Sequence, residues 1–400
     1  MHASSTRRII QRMELTNARL ILPDEIRRGS LSIRSGQIHN LSVDRAATKK
    51  AGANIINLRG GYLAPGFIDM HIHGAMGRDT MEARLDAFRD ITEFHLHGGT
   101  TSLTLTTLSA SQKDILRALE AIAPLRDQTI GGARILGVHV EGPFISKEKA
   151  GAQNPKFVRN PTAKEWGPIL KHGKLITQMT IAPELPRALP LIKALRRNGS
   201  IPSGGHTNAD EKTLKPALKA GMNQSTHTFN AMSSVFKRGA FRSAGMIEFA
   251  LANDKIACEL IADGMHVPPV CMRMLFNSKP RDKVILITDA TKGTGLEPGT
   301  KFELYGIKCK LTPITALVAD GKGLAGSTLT MMRAIQTVVE QSDVPLVDAV
   351  LAATLNPARQ LERDDAFGSL EKGKRADLVW FNNRFQVKAV WLDGDLRFLA

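Results

Sequence analysis

Four hundred residues, 42% of them hydrophobic and 23% charged, suffice for one large globular unit and a smaller one. The formal net charge of +16 suits nucleic acid, an anionic membrane or an anionic small molecule, yet Lys and Arg are scattered and aromatics make up only 5%. That balance favours a basic enzyme over a nucleic-acid binder, and no apolar run reaches the roughly 18 residues of a membrane span.

Residues 1–12 contain arginines but no apolar segment, so they do not read as a secretory signal. They are expected to be a disordered extension, with Met13 opening the first orderly stretch. From there to about residue 65, short alternating runs are separated by turn residues: Leu15 to Leu22, Ser30 to Arg34 and Gln37 to Leu41. This is the pattern of an antiparallel β module.

A different rhythm starts at Phe67. Apolar runs recur about every thirty residues with amphipathic segments between them. They are Phe67–Met70, Thr100–Thr106, Arg134–Val140, Leu175–Ile181, Ile201–Gly205, Met222–Ser225, Lys255–Ile261 and Lys283–Thr288. Eight such units match a (β/α)8 TIM-type barrel over residues 66–369. A doubly wound sheet is the alternative, but the first strand lacks the Gly-x-Gly-x-x-Gly turn. The segment from Lys310 to Thr328 reads as a loop over the barrel mouth, followed by helices at Leu329–Gln341 and Leu346–Leu355. The tail is strand-like again, so residues 370–400 are expected to rejoin residues 13–65 in one small β-sandwich domain built from both termini.

Chemistry in such a barrel sits at the C-terminal ends of the strands. His71 and His73 end the first run, and alternate residues of a strand share a face, so both imidazoles point to one spot. Glu141 ends the third run, His206 the fifth, His227 the sixth, Asp263 and His266 the seventh, and Asp289 the eighth. Each alone has a plainer reading: a strand-end histidine is often solvated, and Asp289 could cap the next helix. Scattered structural residues would not sort themselves onto separately identified strand ends. Imidazole and carboxylate donors without thiolate suit Zn2+ or another first-row divalent ion in an open site. Cys258, Cys271 and Cys309 are too few and too widely spaced for a thiolate site or a disulfide framework, which fits a reducing cytoplasm.

At this point the chain resembles the amidohydrolase superfamily, and within it the N-acetylglucosamine-6-phosphate deacetylase family. The resemblance rests on Pro65-Gly66-Phe67-Ile68-Asp69-x-His71-x-His73-Gly74, His139-x-Glu141-Gly142-Pro143-Phe144, Gly205-His206-Thr207-Asn208-Ala209 and His227-x-Phe229-Asn230-Ala231-Met232. Ile261-Ala262-Asp263-Gly264-x-His266-Val267, Thr288-Asp289-Ala290 and Leu324-Ala325-Gly326-Ser327 extend it. It implies hydrolysis of N-acetyl-D-glucosamine 6-phosphate to glucosamine 6-phosphate and acetate. Glu141, His206 and His227 would hold the principal metal, with His71, His73 and Glu141 completing a second site, so one or two ions are expected per chain. Zn2+ is the expected ion, with Fe2+, Co2+ or Mn2+ as alternatives.

By the same resemblance Asp289 is the general base and acid, and His266 contacts substrate and stabilises the oxyanion. Ala152, Gln153, Asn230, Ala231, Asp263, Leu324, Ala325 and Gly326 would contact substrate, Gln153 standing where many relatives have histidine. A homodimer is implied, in which an arginine reaches the phosphate across the interface. Here that arginine is Arg238 by its distance from His227 and Arg242 by its distance from the following glycine; Arg242 is preferred. Another amidohydrolase acting on a related acetamido sugar or N-acyl amino acid, or a non-catalytic sugar-phosphate-binding relative, are the competing readings.

Overall fold

The computed structural model describes residues 12–44 and 54–400. Apart from Arg12, where the first strand begins, the expected N-terminal extension lies outside the described residues.

Eight parallel strands follow one another in chain order: Phe67–Ile72, Thr100–Thr106, Arg134–Glu141, Ile176–Ile181, Ile201–Gly204, Gln224–Ser225, Ala257–Ile261 and Val284–Ile287. Nearly all their residues are buried, because helices cover the outer face while side chains fill the interior. The second strand, Thr-Thr-Ser-Leu-Thr-Leu-Thr, shows how a polar sequence survives there: Thr101 and Thr104 donate their hydroxyls to the carbonyls of Phe67 and Met70 on the first strand. Three of the helices between the strands start on side-chain caps, with Ser111, Thr162 and Asp210 each accepting a backbone N–H of the first turn.

The seam between the eighth strand and the first closes through the segments just beyond them. Asp289 N–H donates to His71 O at 2.9 Å, and His73 N–H donates to Ala290 O at 2.9 Å. Below them the buried Asp69 carboxylate accepts the backbone N–H and hydroxyl of Thr288. The residues that close the barrel are therefore neighbours of those that carry its chemistry.

A second eight-stranded sheet joins the two ends of the chain. Arg12–Ile21, Ile26–Arg34, Gln37–Val43, Asn54–Asn57 and Tyr62–Pro65 come from one end, and Leu378–Phe381, Val387–Leu392 and Asp395–Leu399 from the other. The link is antiparallel pairing of Tyr62–Pro65 with Leu378–Phe381. The first strand is irregular between Leu15 and Ala18 and encloses a core of its own with Leu31, Ile33, Leu378 and Trp391.

One expectation is corrected. Lys310 to Thr328 is not simply a loop: Ile307–Leu311 and Ala316–Val318 form a three-stranded antiparallel sheet with Lys301–Leu304. Alternation of Phe302, Leu304, Ile307, Cys309 and Leu311 with charged residues supplies one apolar face, and Tyr305-Gly306, both at positive φ, makes the tight turn. The C-terminal helices run Met331–Ser342, Leu346–Ala353 and Leu355–Gln360, the last two separated at Thr354.

Candidate metal centre and active site

The residues expected at the strand ends converge. His71, His73 and Glu141 form one group of potential metal donors, and Glu141, His206 and His227 another; all are buried, and within each group the donor atoms lie within 4.8 Å of one another. Glu141 belongs to both. Asp289 completes the cluster from the eighth strand, its Oδ1 3.2 Å from His73 Nε2 and 3.5 Å from His71 Nε2.

The backbone is bent to bring these side chains inward. His206, His227 and Asp289 all adopt positive φ, at 47°, 30° and 50°. Such a conformation is uncommon for residues other than glycine and persists where surrounding hydrogen bonds hold it. Ser146 N–H donates to His206 O at 2.8 Å, Asn230 N–H to His227 O at 2.9 Å, and Ser327 N–H to Asp289 O at 2.8 Å.

Hydrogen-bond roles test whether these donors fit a cation. His206 Nδ1 lies 2.6 Å from the carbonyl of Lys149, which can only accept, so the proton sits on Nδ1 and the lone pair on Nε2. That lone pair faces Glu141 Oε1 at 3.1 Å and His227 Nε2 at 3.0 Å. His71 repeats the arrangement: Nδ1 is 3.2 Å from the carboxylate of Glu259, and Nε2 faces His73 Nε2 at 3.3 Å and Glu141 Oε1 at 3.5 Å. Acceptors turned toward one another at such distances need a positive charge between them. A divalent metal meets that need, and the all-N/O donor set fits one.

Electrostatics agree. Burial opposes charge at His73, yet the carboxylates of Asp289 and Glu141 outweigh it and carry its imidazole up to about 9. Burial likewise opposes ionisation of Glu141, but His71, His206 and His227 hold it well below the ordinary carboxylate range. Asp289 is lowered too, by His71 and His73 against the effect of burial. The cluster thus favours positive charge at its centre.

A cavity of about 330 Å³ opens above these groups. His73, Glu141, His206, His227, Asp289 and His266 line it, as do Ala152, Gln153, Asn230, Ala231, Leu324 and Gly326. Asp263 holds His266 in place: its Oδ2 is 2.7 Å from His266 Nδ1, and its Oδ1 accepts the N–H groups of Met265 and His266. Ala325 is fully buried behind the wall. Gln153 spans two partners, donating to Glu141 Oε2 and accepting the N–H of Ser109, each at 2.6 Å.

Arg238 and Arg242 do not join the cluster. They lie on a hairpin of Phe236–Arg238 and Phe241–Ser243, where Phe241 is 79% exposed. Arg238 is paired with Asp210 at 2.9 Å.

Sequence reasoning missed Glu259, Gln178 and Gln224, which form a buried polar layer beneath the histidines. Their signal was present: a lone Glu inside the apolar run Ala257-Cys258-Glu259-Leu260-Ile261 is costly to bury without specific partners. It also missed Lys149, at the end of the 3-10 turn Lys147–Lys149, and Thr291, on a loop, which both line the cavity.

Comparison with known proteins gives the same direction. The sequence profile of the amidohydrolase family matches residues 62–397. An N-acetylglucosamine-6-phosphate deacetylase of Bacillus subtilis is 35% identical over 94% of each chain. An N-acetylgalactosamine-6-phosphate deacetylase of a Shewanella species is 32% identical over 93% of this chain and 92% of its own. Among solved structures, a mutant N-acetyl-D-glucosamine-6-phosphate deacetylase of Mycobacterium smegmatis, in complex with N-acetyl-D-glucosamine-6-phosphate, superposes with a TM-score of 0.89 at 31% identity, covering 97% of this chain and 99% of that one. The chain belongs to the amidohydrolase family.

Proposed function

We propose that this family member hydrolyses the acetamide of N-acetyl-D-glucosamine 6-phosphate, releasing acetate and D-glucosamine 6-phosphate. The observation that carries the reading is the meeting of two metal-donor groups, sharing Glu141, with the carboxylate of Asp289 in one cavity. The close relatives that bear the name of this activity support it.

An acetamide is a poor electrophile and its nitrogen a poor leaving group. A divalent ion, Zn2+ by the donor chemistry, held by Glu141, His206 and His227 and a second by His71, His73 and Glu141, would supply Lewis acidity and acidify water. Asp289, held ionised beside the two histidines, accepts a proton from the attacking water and returns it to the departing nitrogen. His266, oriented by Asp263, faces the acetamide oxygen and stabilises its developing charge. Ala152, Asn230, Ala231, Leu324 and Gly326 shape the sugar subsite, with Ala325 behind it. Gln153 joins that wall while holding Glu141.

Phosphate needs cationic donors, and arginine's fork suits it. Arg242, which makes no ion pair among the described residues, takes that role better than Arg238, whose charge is engaged by Asp210. The family resemblance assigns the phosphate to the site of a second copy in a homodimer, and a projecting hairpin is compatible with that reach. No helix among the described residues is long and apolar enough to cross a membrane, and three free thiols suit a cytoplasmic enzyme. The galacto epimer is a second reading, because a relative of nearly equal identity carries that name.

The test is acetate release by metal-loaded protein from N-acetylglucosamine 6-phosphate, its galacto epimer and unphosphorylated N-acetylglucosamine. Cleavage of the phosphorylated gluco sugar in preference to the other two supports the reading. Equal cleavage of the unphosphorylated sugar contradicts the phosphate assignment, and preference for the galacto epimer transfers the activity to it.

A further inference from the structure

Glu259 is fully buried on the seventh barrel strand, and four N–H donors surround its carboxylate. Oε1 accepts from the side-chain amides of Gln178 at 3.0 Å and Gln224 at 2.8 Å. Oε2 accepts from His71 Nδ1 at 3.2 Å and from the backbone N–H of His227 at 3.2 Å. An ionised carboxylate is acceptor-only and offers about four lone-pair sites, so this group is saturated.

A structural explanation alone fits poorly. The other residues of this strand are apolar, and an apolar side chain would pack in the barrel interior without the desolvation penalty of a carboxylate. What the carboxylate adds is direction. Taking the Nδ1 proton of His71 leaves the Nε2 lone pair aimed at His73 and Glu141. Taking the N–H of His227 holds that residue in its left-handed conformation. His71 belongs to one donor group and His227 to the other, so a single side chain touches both. Gln178 anchors the layer by donating also to Met70 O on the first strand, at 3.0 Å.

We propose that Glu259 is a positioning residue that fixes the tautomer of His71 and the backbone of His227, and thereby sets metal affinity at the His71–His73–Glu141 group. The inference rests on the metal-centre reading above. Partners of this kind, which orient a ligating histidine through its second nitrogen, change metal affinity by about 10- to 100-fold.

The test compares wild type, Glu259→Gln and Glu259→Leu as full chains, stripped with a chelator and titrated with Co2+. Ions per chain are counted by mass spectrometry, and the visible absorption of Co2+ reports ligand geometry. His73→Ala identifies which ion belongs to the histidine pair. In Glu259→Leu that ion's Kd should rise by about 10- to 100-fold with altered Co2+ absorption. Glu259→Gln should lie between, because its carbonyl still accepts from His71 while Gln178 or Gln224 turns its amide to meet the new NH2. If the leucine variant fails to fold, the glutamine variant decides. Uptake and absorption unchanged from wild type, even with a lowered Tm, would overturn the inference. A wild-type chain that binds no metal at all overturns the metal-centre reading beneath it.

Discussion

Replacing Asp289 by asparagine isolates proton transfer from everything else at the site. Asparagine has nearly the same shape, and it is among the residues that tolerate the left-handed backbone found here at φ 50°. Alanine would add strain of about 1 kcal/mol and confuse the outcome. Neither donor group includes Asp289, so metal content should be unchanged. What disappears is a carboxylate 3.2 Å from His73 Nε2 that the histidines keep ionised against burial. General acid–base catalysis by a placed side chain contributes about 10²- to 10⁴-fold, so the barrier should rise by about 3 to 5 kcal/mol. Because the same carboxyl both takes and returns the proton, neither step is spared. Saturating rates of acetate release, measured with metal content and circular dichroism on the same samples, should show a fall of at least 10²-fold. A variant with intact metal and more than about a tenth of wild-type turnover would remove Asp289 from the proton path.

Two further outcomes follow from particular residues. Arg242→Ala should raise KM for the phosphorylated sugar by about tenfold or more with kcat little changed, as expected when a charged hydrogen bond to phosphate is lost. Arg238→Ala should do less, since Asp210 already engages that guanidinium; the opposite order would exchange their roles. His95, fully buried, is pushed down by burial to about 4 from 6.5, against a weak hydrogen bond to the Gly74 carbonyl. Its folded-state value lies below the unfolded one, so its neutral form gives stability that is present above about pH 6.5 and lost as pH falls toward 4. The loss is about 3 kcal/mol at 1.36 kcal/mol per unit. Urea unfolding of wild type and His95→Leu across that window should give diverging slopes, and parallel curves would show that His95 is not the group responsible.

Much of the fold was legible because the barrel strands are short, apolar and regularly spaced. Their observed bounds agree with the sequence reading to within two residues, as at Ala257–Ile261 and Val284–Ile287. The convergence of the candidate metal donors was legible for a related reason: strand ends are where side chains meet, so histidines sorted by strand are also sorted in space. The rest depended on contacts that sequence spacing does not reveal. Glu259, Gln178 and Gln224 come from three different strands and make sense only as one buried layer. The sheet at Lys301–Val318 is not legible from Lys310 onward, because the Tyr305-Gly306 turn that defines it lies upstream. Strand Asn54–Asn57 pairs in parallel with the chain's own first strand, a long-range partnership that its four residues do not announce.

If this cavity cleaves a phosphorylated acetamido sugar by means of a metal at the shared Glu141 centre, the ion should be indispensable to turnover. The most direct measurement follows acetate and free amine from N-acetylglucosamine 6-phosphate with chelator-stripped protein before and after stoichiometric Zn2+. Stripped protein should release neither product, restoring the ion should bring equimolar release of both, and Glu141→Gln should lose that restoration. Turnover by fully stripped protein, or full restoration in Glu141→Gln, would show that a metal at Glu141 does not drive the cleavage.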